Sequence, residues 1–423
     1  MSNGTAPPKP QLLGLDDAIA RILARVAAPD PASSETVSTF AARGRFLAED
    51  VRSQIDVPPA DNSAMDGYAL RAADVAQAPC ALELVGEVRA GDAPTLTVGP
   101  GQAAKIMTGA PLPSGATAVQ QVEKTRPLDE FRVTIEAAVE ERQNVAPRGS
   151  EVRAGDTVLE RGRLIDPSAV AVLATTGKAR VRVARRPVAA VLVTGDEIVD
   201  VAELPGPSQI RNSNGPAVAA QARLAGASVR VLGIAPDRRD ATVAALREGL
   251  AGVDVLIVSG GVSAGDYDLV EPALVELGTT LLFTKVAIKP GAPLVFGRHG
   301  ETLVFGLPGN PVSAQVTFEL FARTALLRLQ GAKVASRPRV GVELAGPFKN
   351  RSGRTCHLPA RVRFEVGRLV ARGLRSGGSG DLVAHARANA LVVLEAGRLQ
   401  AERGETAEAV LLGRFLEDDG APL

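Results

Sequence analysis

The chain is 423 residues long and 45% hydrophobic, and it balances 48 basic against 47 acidic side chains for a formal net charge of +1. That length accommodates roughly two to four domains of about 100–200 residues, and the apolar fraction excludes bulk disorder. The charge balance argues against nucleic acid as a main partner, and no apolar run approaches the ~20 residues that span a bilayer.

The leading residues, MSNGTAPPKPQLLG, lack the basic segment and apolar core of a secretory signal. Two cysteines, Cys80 and Cys356, cannot build a disulfide framework, so the expected location is cytoplasmic. Helical spacing runs over residues 15–26, with Asp16 and Asp17 suited to a helix N-terminus and Pro29 and Pro31 stopping it. A second amphipathic stretch is predicted over 33–51. Residues 56–74 (DVPPADNSAMDGYALRAAD) are crowded with Pro, Asp, Asn, Ser and Gly and are predicted as a loop. That loop is either a domain hinge or, given Asp61, Asn62, Ser63 and Asp66, a polar binding segment. From 79 to about 144, short alternating runs between Gly/Pro turns predict a small antiparallel β module, inserted into the surrounding pattern, with Thr108 in one of its turns. From 187 to 331, near-continuous Val/Leu/Ile runs alternate with helical patterns, which predicts a parallel sheet covered on both faces. Beyond Pro338 the pattern is all β.

The α/β part centres on residues 253–268, VDVLIVSGGVSAGDYD. A buried strand ends at Gly260 and Gly261; Ser263, Asp266 and Asp268 follow before helical spacing resumes. If every strand points the same way, the loops leaving their C-terminal ends gather along one edge. Glu197, Asp237 and the Asp266/Asp268 pair are expected to converge there, with the glycines letting a ligand approach the backbone. Massed carboxylates raise one another's pKa, and Mg²⁺, which takes oxygen ligands beside phosphate, would relieve that. Lys285 and Lys289, four residues apart in TKVAIKPGAP, are expected on one face of an extended segment, implying an anionic substrate. Each feature alone also has a purely structural reading: a strand-end Asp caps a helix, SGGVSAG makes a tight turn, and GLPGNPVS starts a helix with Asn310 as cap. No dinucleotide fingerprint or P-loop spacing is present. With three histidines and no CxxC pair, any metal should be a hard cation on carboxylates.

Taken together, DNSAMDGYA (61–69), IMTGAPLP (106–113), VLVTGDE (191–197), SGGVSAGDYD (259–268), VAIKPGAP (286–293) and GLPGNPVS (306–313) closely resemble the molybdopterin molybdenumtransferases, bacterial relatives of the gephyrin E domain. The resemblance runs in order over about residues 11–418. It implies an elongated scaffold domain (11–55 and 145–186) with the β module inserted (56–144). A doubly wound α/β pterin- and nucleotide-binding domain (187–331) and a C-terminal β-barrel domain (336–418) follow. It further implies a cytoplasmic homodimer whose site lies between protomers. The implied reaction is Mg²⁺-dependent insertion of molybdenum from molybdate into adenylylated molybdopterin with release of AMP, and a transient contact with the molybdopterin adenylyltransferase is implied as well.

By the same resemblance, Asp61, Thr108, Glu197, Lys285 and Lys289 are catalytic, and Asp237 and Asp268 hold Mg²⁺. Ser259, Gly260, Gly261, Ser263, Asp266, Pro308, Pro311, Arg148 and Ser379 bind substrate, and Asp61 and Thr108 close the site from the opposite wall. The dithiolene of the pterin already supplies sulfur ligands, and no residue stands out as a nucleophile. Electrostatic stabilisation is therefore expected to dominate. The chain departs from the family at Arg148-Gly149-Ser150-Glu151, at Gly353-Arg354-Thr355-Cys356-His357, where Gly-Arg-Thr-Glu-Phe is usual, and at His385. The alternatives are a molybdopterin adenylyltransferase, which shares the α/β domain, and a non-catalytic scaffold of the gephyrin type.

Overall fold

The computed structural model describes residues 12–27, 29, 31–93, 95–262 and 268–413. The β-branched runs picked out above become the middle of a six-stranded sheet. Its order is Ser228–Ala235, Val188–Thr194, Val255–Ser259, Thr302–Leu307, Pro293–His299, Thr280–Lys285. All positions of Val255–Ser259 and Thr302–Leu307 are buried, as continuous apolar strands between two helix layers must be. Side chains alternate between those layers. Val191, Ile257 and Phe305 meet the helix Asn214–Leu224 and the segment Pro311–Leu329, while Leu192, Leu256 and Val304 meet the helices Arg239–Leu250 and Val270–Glu276.

The expectation that every strand runs the same way is corrected at Pro293–His299, which is antiparallel to both neighbours. Only Gly300 and Glu301 separate it from Thr302–Leu307. A two-residue connection can only reverse a strand, and Gly300 adopts φ +55° to do so. The predicted long helix after GLPGNP is present, interrupted by a π-helical turn at Phe318–Ala322. The first helix, Leu15–Leu23, buries Ala18 and Ile22 in this same core.

Residues 33–51 form no α-helix; a 3-10 turn at Thr39–Ala41 lies between short strands. Glu35–Ser38 is a strand paired with Arg180–Val183, and Val51–Arg52 pairs with Thr157–Leu159. The partner strands lie more than 100 residues away, so a local pattern could not announce them. The region read as a loop, 56–74, also contains a strand, Gly67–Leu70, buried at all four positions between two neighbours. Gly67 is required there: a Cβ would lie 1.9 Å from the Gln120 carbonyl oxygen. The module's sheet is mixed rather than purely antiparallel, because Cys80–Val88 runs parallel to Gln102–Ile106.

The C-terminal part is a closed five-stranded barrel. Its long strand Thr355–Glu365 pairs with Ala390–Leu394 through residues 356–360 and with Arg368–Gly373 through 360–365, which closes the ring. The short strand Ile288–Lys289, leaving the α/β sheet, pairs in parallel with Thr355–Cys356 and ties the barrel to the sheet edge.

Candidate functional site

Where the barrel meets the C-terminal edge of the α/β sheet there is a cleft of about 1150 Å³. The strand ends that form its floor approach one another closely. Gly260 has φ +100°, and a Cβ there would lie 2.4 Å from the Thr194 carbonyl oxygen; at Gly261 (φ +61°) it would meet Val270 at 2.9 Å. The two glycines let the end of Val188–Thr194 and the start of the helix Val270–Glu276 approach this turn closely. Ser259 is buried, accepts from Asn214 Nδ2 (2.9 Å) and donates to the Pro308 carbonyl (3.2 Å). Among the described residues, Asn214 Oδ1 and Thr194 Oγ1 are buried without a partner, leaving unmet hydrogen-bonding capacity beside the cleft.

Carboxylates gather on one side. Glu197, Asp237 and Asp268 line the cleft. The Asp237 N–H donates to Asp196 Oδ1 (2.9 Å), and the Asp196 N–H donates back to Asp237 Oδ2 at 3.4 Å. Burial raises the Asp237 carboxyl above its ordinary range, and the charges of Asp196, Glu197 and Asp268 add to the rise. Among the described residues, no three carboxylate, histidine or cysteine side chains form a ready metal cage.

Cations line the same cleft. Lys289 lines the cleft, and the barrel adds Lys349, Arg351 and Arg354. The three barrel residues are an omission of the sequence reading, which had noted Arg354 only within a divergent motif. Their signal was the basic cluster KNRSGR, and nothing local says which domain it faces. Pro308, Pro311 and Ser379 also line the cleft, and the Ser379 carbonyl accepts the Val312 N–H at 3.0 Å.

Other expected residues lie elsewhere. Lys285 and Lys289 do not share one extended face. The sheet strand ends at Lys285 and Ile288–Lys289 joins the barrel, so only Lys289 reaches the cleft lining. Lys285 instead acts on Glu271, whose carboxyl is raised by burial and by Asp268 and partly lowered by this lysine. Asp61, Thr108 and Arg148 do not line the cleft of their own chain. Asp61 is held by Arg142 and by the Arg148 N–H (2.8 Å), which keep its carboxyl below the usual range. Thr108 donates through N–H and hydroxyl to Asp66 (2.7 and 2.9 Å), and Arg148 Nε donates to Asp56 (2.6 Å). Ser263 and Asp266 lie outside the described residues. The divergent Cys356, His357 and His385 line the cleft too. His357 is 1% exposed with neither ring nitrogen bonded among the described residues, and burial, followed by the charge of Arg339, pushes its pKa down to about 4.

A cleft lined by both carboxylates and basic side chains suits an anionic, phosphate-bearing ligand. Comparison with known proteins makes the class specific. The family models that match are the MoeA N-terminal region (domain I and II) over residues 13–177, the probable molybdopterin binding domain over 190–328, and the MoeA C-terminal region (domain IV) over 341–412. The chain is similar to the molybdopterin molybdenumtransferase of Bacillus subtilis, 35% identical over 87% of each chain. It is similar to that of Staphylococcus aureus at 33% identity, over 89% of this chain and 90% of the relative. Among solved structures, the molybdopterin biosynthesis MoeA protein of Pyrococcus horikoshii OT3 matches with a TM-score of 0.81 and 29% identity, covering 95% of this chain and all of that one. A second Pyrococcus MoeA structure matches with a TM-score of 0.77 and 30% identity, over 95% of this chain and 99% of that one. The chain belongs to the MoeA family of molybdopterin molybdenumtransferases.

Proposed function

We infer that this transferase inserts molybdenum from molybdate into adenylylated molybdopterin and releases AMP, a step of molybdenum cofactor biosynthesis. The observation that carries the reading is the cleft itself, which is lined by Glu197, Asp237 and Asp268 together with Lys289, Arg351 and Arg354. Lys289 and the barrel arginines supply fixed positive charge for an oxyanion and for the phosphates of the pterin nucleotide. Asn214 Oδ1 and Thr194 Oγ1, unpartnered among the described residues, offer hydrogen bonds to its polar edges.

The raised Asp237 carboxyl, crowded by three like charges, fits a bound cation. Asp237 and Asp268 would hold Mg²⁺, with phosphate oxygens and water completing its shell, as this ion prefers to one or two carboxylates. Bound there, Mg²⁺ supplies charge neutralisation for the phosphoanhydride. Ser259, Gly260, Gly261, Ser263, Asp266, Pro308, Pro311 and Ser379 bind substrate in this reading, and Lys285 acts through Glu271. Asp61, Thr108 and Arg148 act on the cleft of the partner protomer in a homodimer. The enzyme works in the cytoplasm and receives its pterin through transient contact with the adenylyltransferase.

The test is an insertion assay on Lys289→Glu and Asp268→Asn, reading AMP release and molybdenum incorporation, with dimer retention checked by size-exclusion chromatography. Each change should lower the rate roughly 100-fold or more, the scale of losing one preorganised electrostatic group. Full insertion in both variants sinks the site assignment. Formation of adenylylated molybdopterin from ATP by this chain alone would instead favour the adenylyltransferase reading.

A further inference from the structure

A second cavity, of about 520 Å³, lies on the outside of the C-terminal barrel, and four arginines line it. Arg361 and Arg372 come from adjacent barrel strands, Arg375 from the segment after the second strand, and Arg387 from the end of the helix Leu382–Ala386. Arg361 and Arg372 are direct cross-strand partners, so they share a face with like charges opposed, an arrangement that weakens a ladder unless something compensates it. The adjoining pair, Val362 and Ala371, points into the barrel core, which places both arginines on the outer face.

Acid is scarce here. Glu365 takes up Arg372 at 2.9 Å. Asp381, the carboxylate of the lining, already accepts the backbone N–H groups of Gly377 (2.9 Å) and Ala384 (3.0 Å) as cap of the short helix. Those two bonds hold its carboxyl below the usual range, with the charge of Arg387 a lesser contribution. Among the described residues, the Arg375 and Arg387 side chains have no ion-pair or hydrogen-bond partner.

We propose that this cavity binds a phosphate monoester, its dianionic phosphate held between Arg375 and Arg387. A guanidinium presents two parallel N–H donors that match a pair of phosphate oxygens, and a dianion meets two guanidinium groups that have no ion-pair partner among the described residues. The volume lies in the range of small-molecule pockets and far exceeds that of a bare ion, so it admits the organic part of the ester. The site is one helix away from the cleft. Leu382 and His385, three residues apart, line the cleft, whereas Val383 and Arg387, four apart, line the arginine cavity, and Asp381 lines both. Ligand and substrate therefore share a wall. Nothing in the proposed insertion reaction calls on these arginines, so this site stands or falls independently of that reading.

The test is isothermal titration of the full-length protein with ribose 5-phosphate, inorganic phosphate and ribose. Ribose 5-phosphate should bind at one site per chain, and that site should survive Lys289→Glu in the cleft. The double variant Arg375→Ala/Arg387→Ala should bind it roughly tenfold or more weakly while keeping its molybdenum insertion rate. Both arginines are exposed, so the variant should fold, and Arg375→Lys/Arg387→Lys, which keeps the charge and loses the fork, should fall between it and the parent. Absence of binding, equal affinity for ribose, equal affinity for inorganic phosphate, loss of the site in Lys289→Glu, or no effect of the double alanine variant would each overturn the proposal.

Discussion

Replacing Gly260 by alanine probes the strand-end packing on which the cleft depends. A Cβ at this position, with φ +100°, would lie 2.4 Å from the Thr194 carbonyl oxygen and 3.0 Å from its Oγ1. A carbon and a carbonyl oxygen in contact sit about 3.3 Å apart, so the end of Val188–Thr194 has to retreat by roughly 0.9 Å. Left-handed backbone costs a residue with a Cβ roughly 1–2 kcal/mol, and overpacking a filled interior costs about 1–3 kcal/mol more. The expected loss of about 2–5 kcal/mol is large beside a domain stability on the order of 5–15 kcal/mol. Gly309, in the loop packed against Gly260, is the control. A Cβ there would stand 3.7 Å from the Gly260 Cα, an ordinary contact, and its φ is not positive, so Gly309→Ala should stay within about 0.5 kcal/mol. Hydrogen exchange on the amides of Val188–Thr194 and Val255–Ser259 is the suitable assay, because a multidomain chain need not unfold in one step. Exchange should accelerate by about 30-fold or more in Gly260→Ala, the factor that 2 kcal/mol corresponds to. Unchanged protection would refute the close approach of the two strand ends.

Asp237 carries a pH signature. Folding raises its carboxyl, so it ionises more readily in the unfolded chain and weakens the fold at neutral pH, and this cost fades as pH falls through the folded pKa. Asp237→Asn should therefore unfold at a higher temperature than the parent at pH 7, lose that advantage in acid, and insert no molybdenum; a lower melting temperature at pH 7 would contradict it. His357 acts in the opposite sense. Its pKa is lowered from 6.5 to about 4, so it favours the folded state above pH 6.5, and roughly 3 kcal/mol is lost as pH falls to 4. His357→Phe should flatten that acid slope in a thermal scan, whereas an unchanged slope would show that another group carries it. If Asp61 serves the partner's cleft, mixing Asp61→Ala dimers with Lys289→Glu dimers should form hybrids in which one cleft is intact. Insertion should then return to about a quarter of the parent rate on statistical exchange of subunits into a C2 dimer, and failure to recover activity after verified exchange would place Asp61 with its own chain's cleft.

The parts legible in the sequence are those set by local chemistry. Val255–Ser259 and Thr302–Leu307 read as buried strands because unbroken β-branched runs suit a sheet covered on both sides, and all their positions are buried. The carboxylates Glu197, Asp237 and Asp268 were placed correctly on one edge because loops leaving parallel strand ends have nowhere else to gather. The motif set is long enough to indicate the family, and the barrel followed from that resemblance.

Where the reading failed, a distant partner decided. Glu35–Ser38 becomes a strand through pairing with Arg180–Val183, and Gly67–Leu70 becomes a buried strand because two neighbours enclose it. Lys285 and Lys289 part company because Ile288–Lys289 finds its hydrogen bonds in the barrel. Lys349, Arg351 and Arg354 reach the cleft only because the barrel docks at the sheet edge. The sequence by itself determined the continuous apolar strands of the α/β sheet and the acidic residues that follow their ends, since side-chain periodicity is a local property. Only the tertiary structure decided which cations join those acids in the cleft and why Gly260 admits no side chain, because both depend on contacts between residues far apart along the chain.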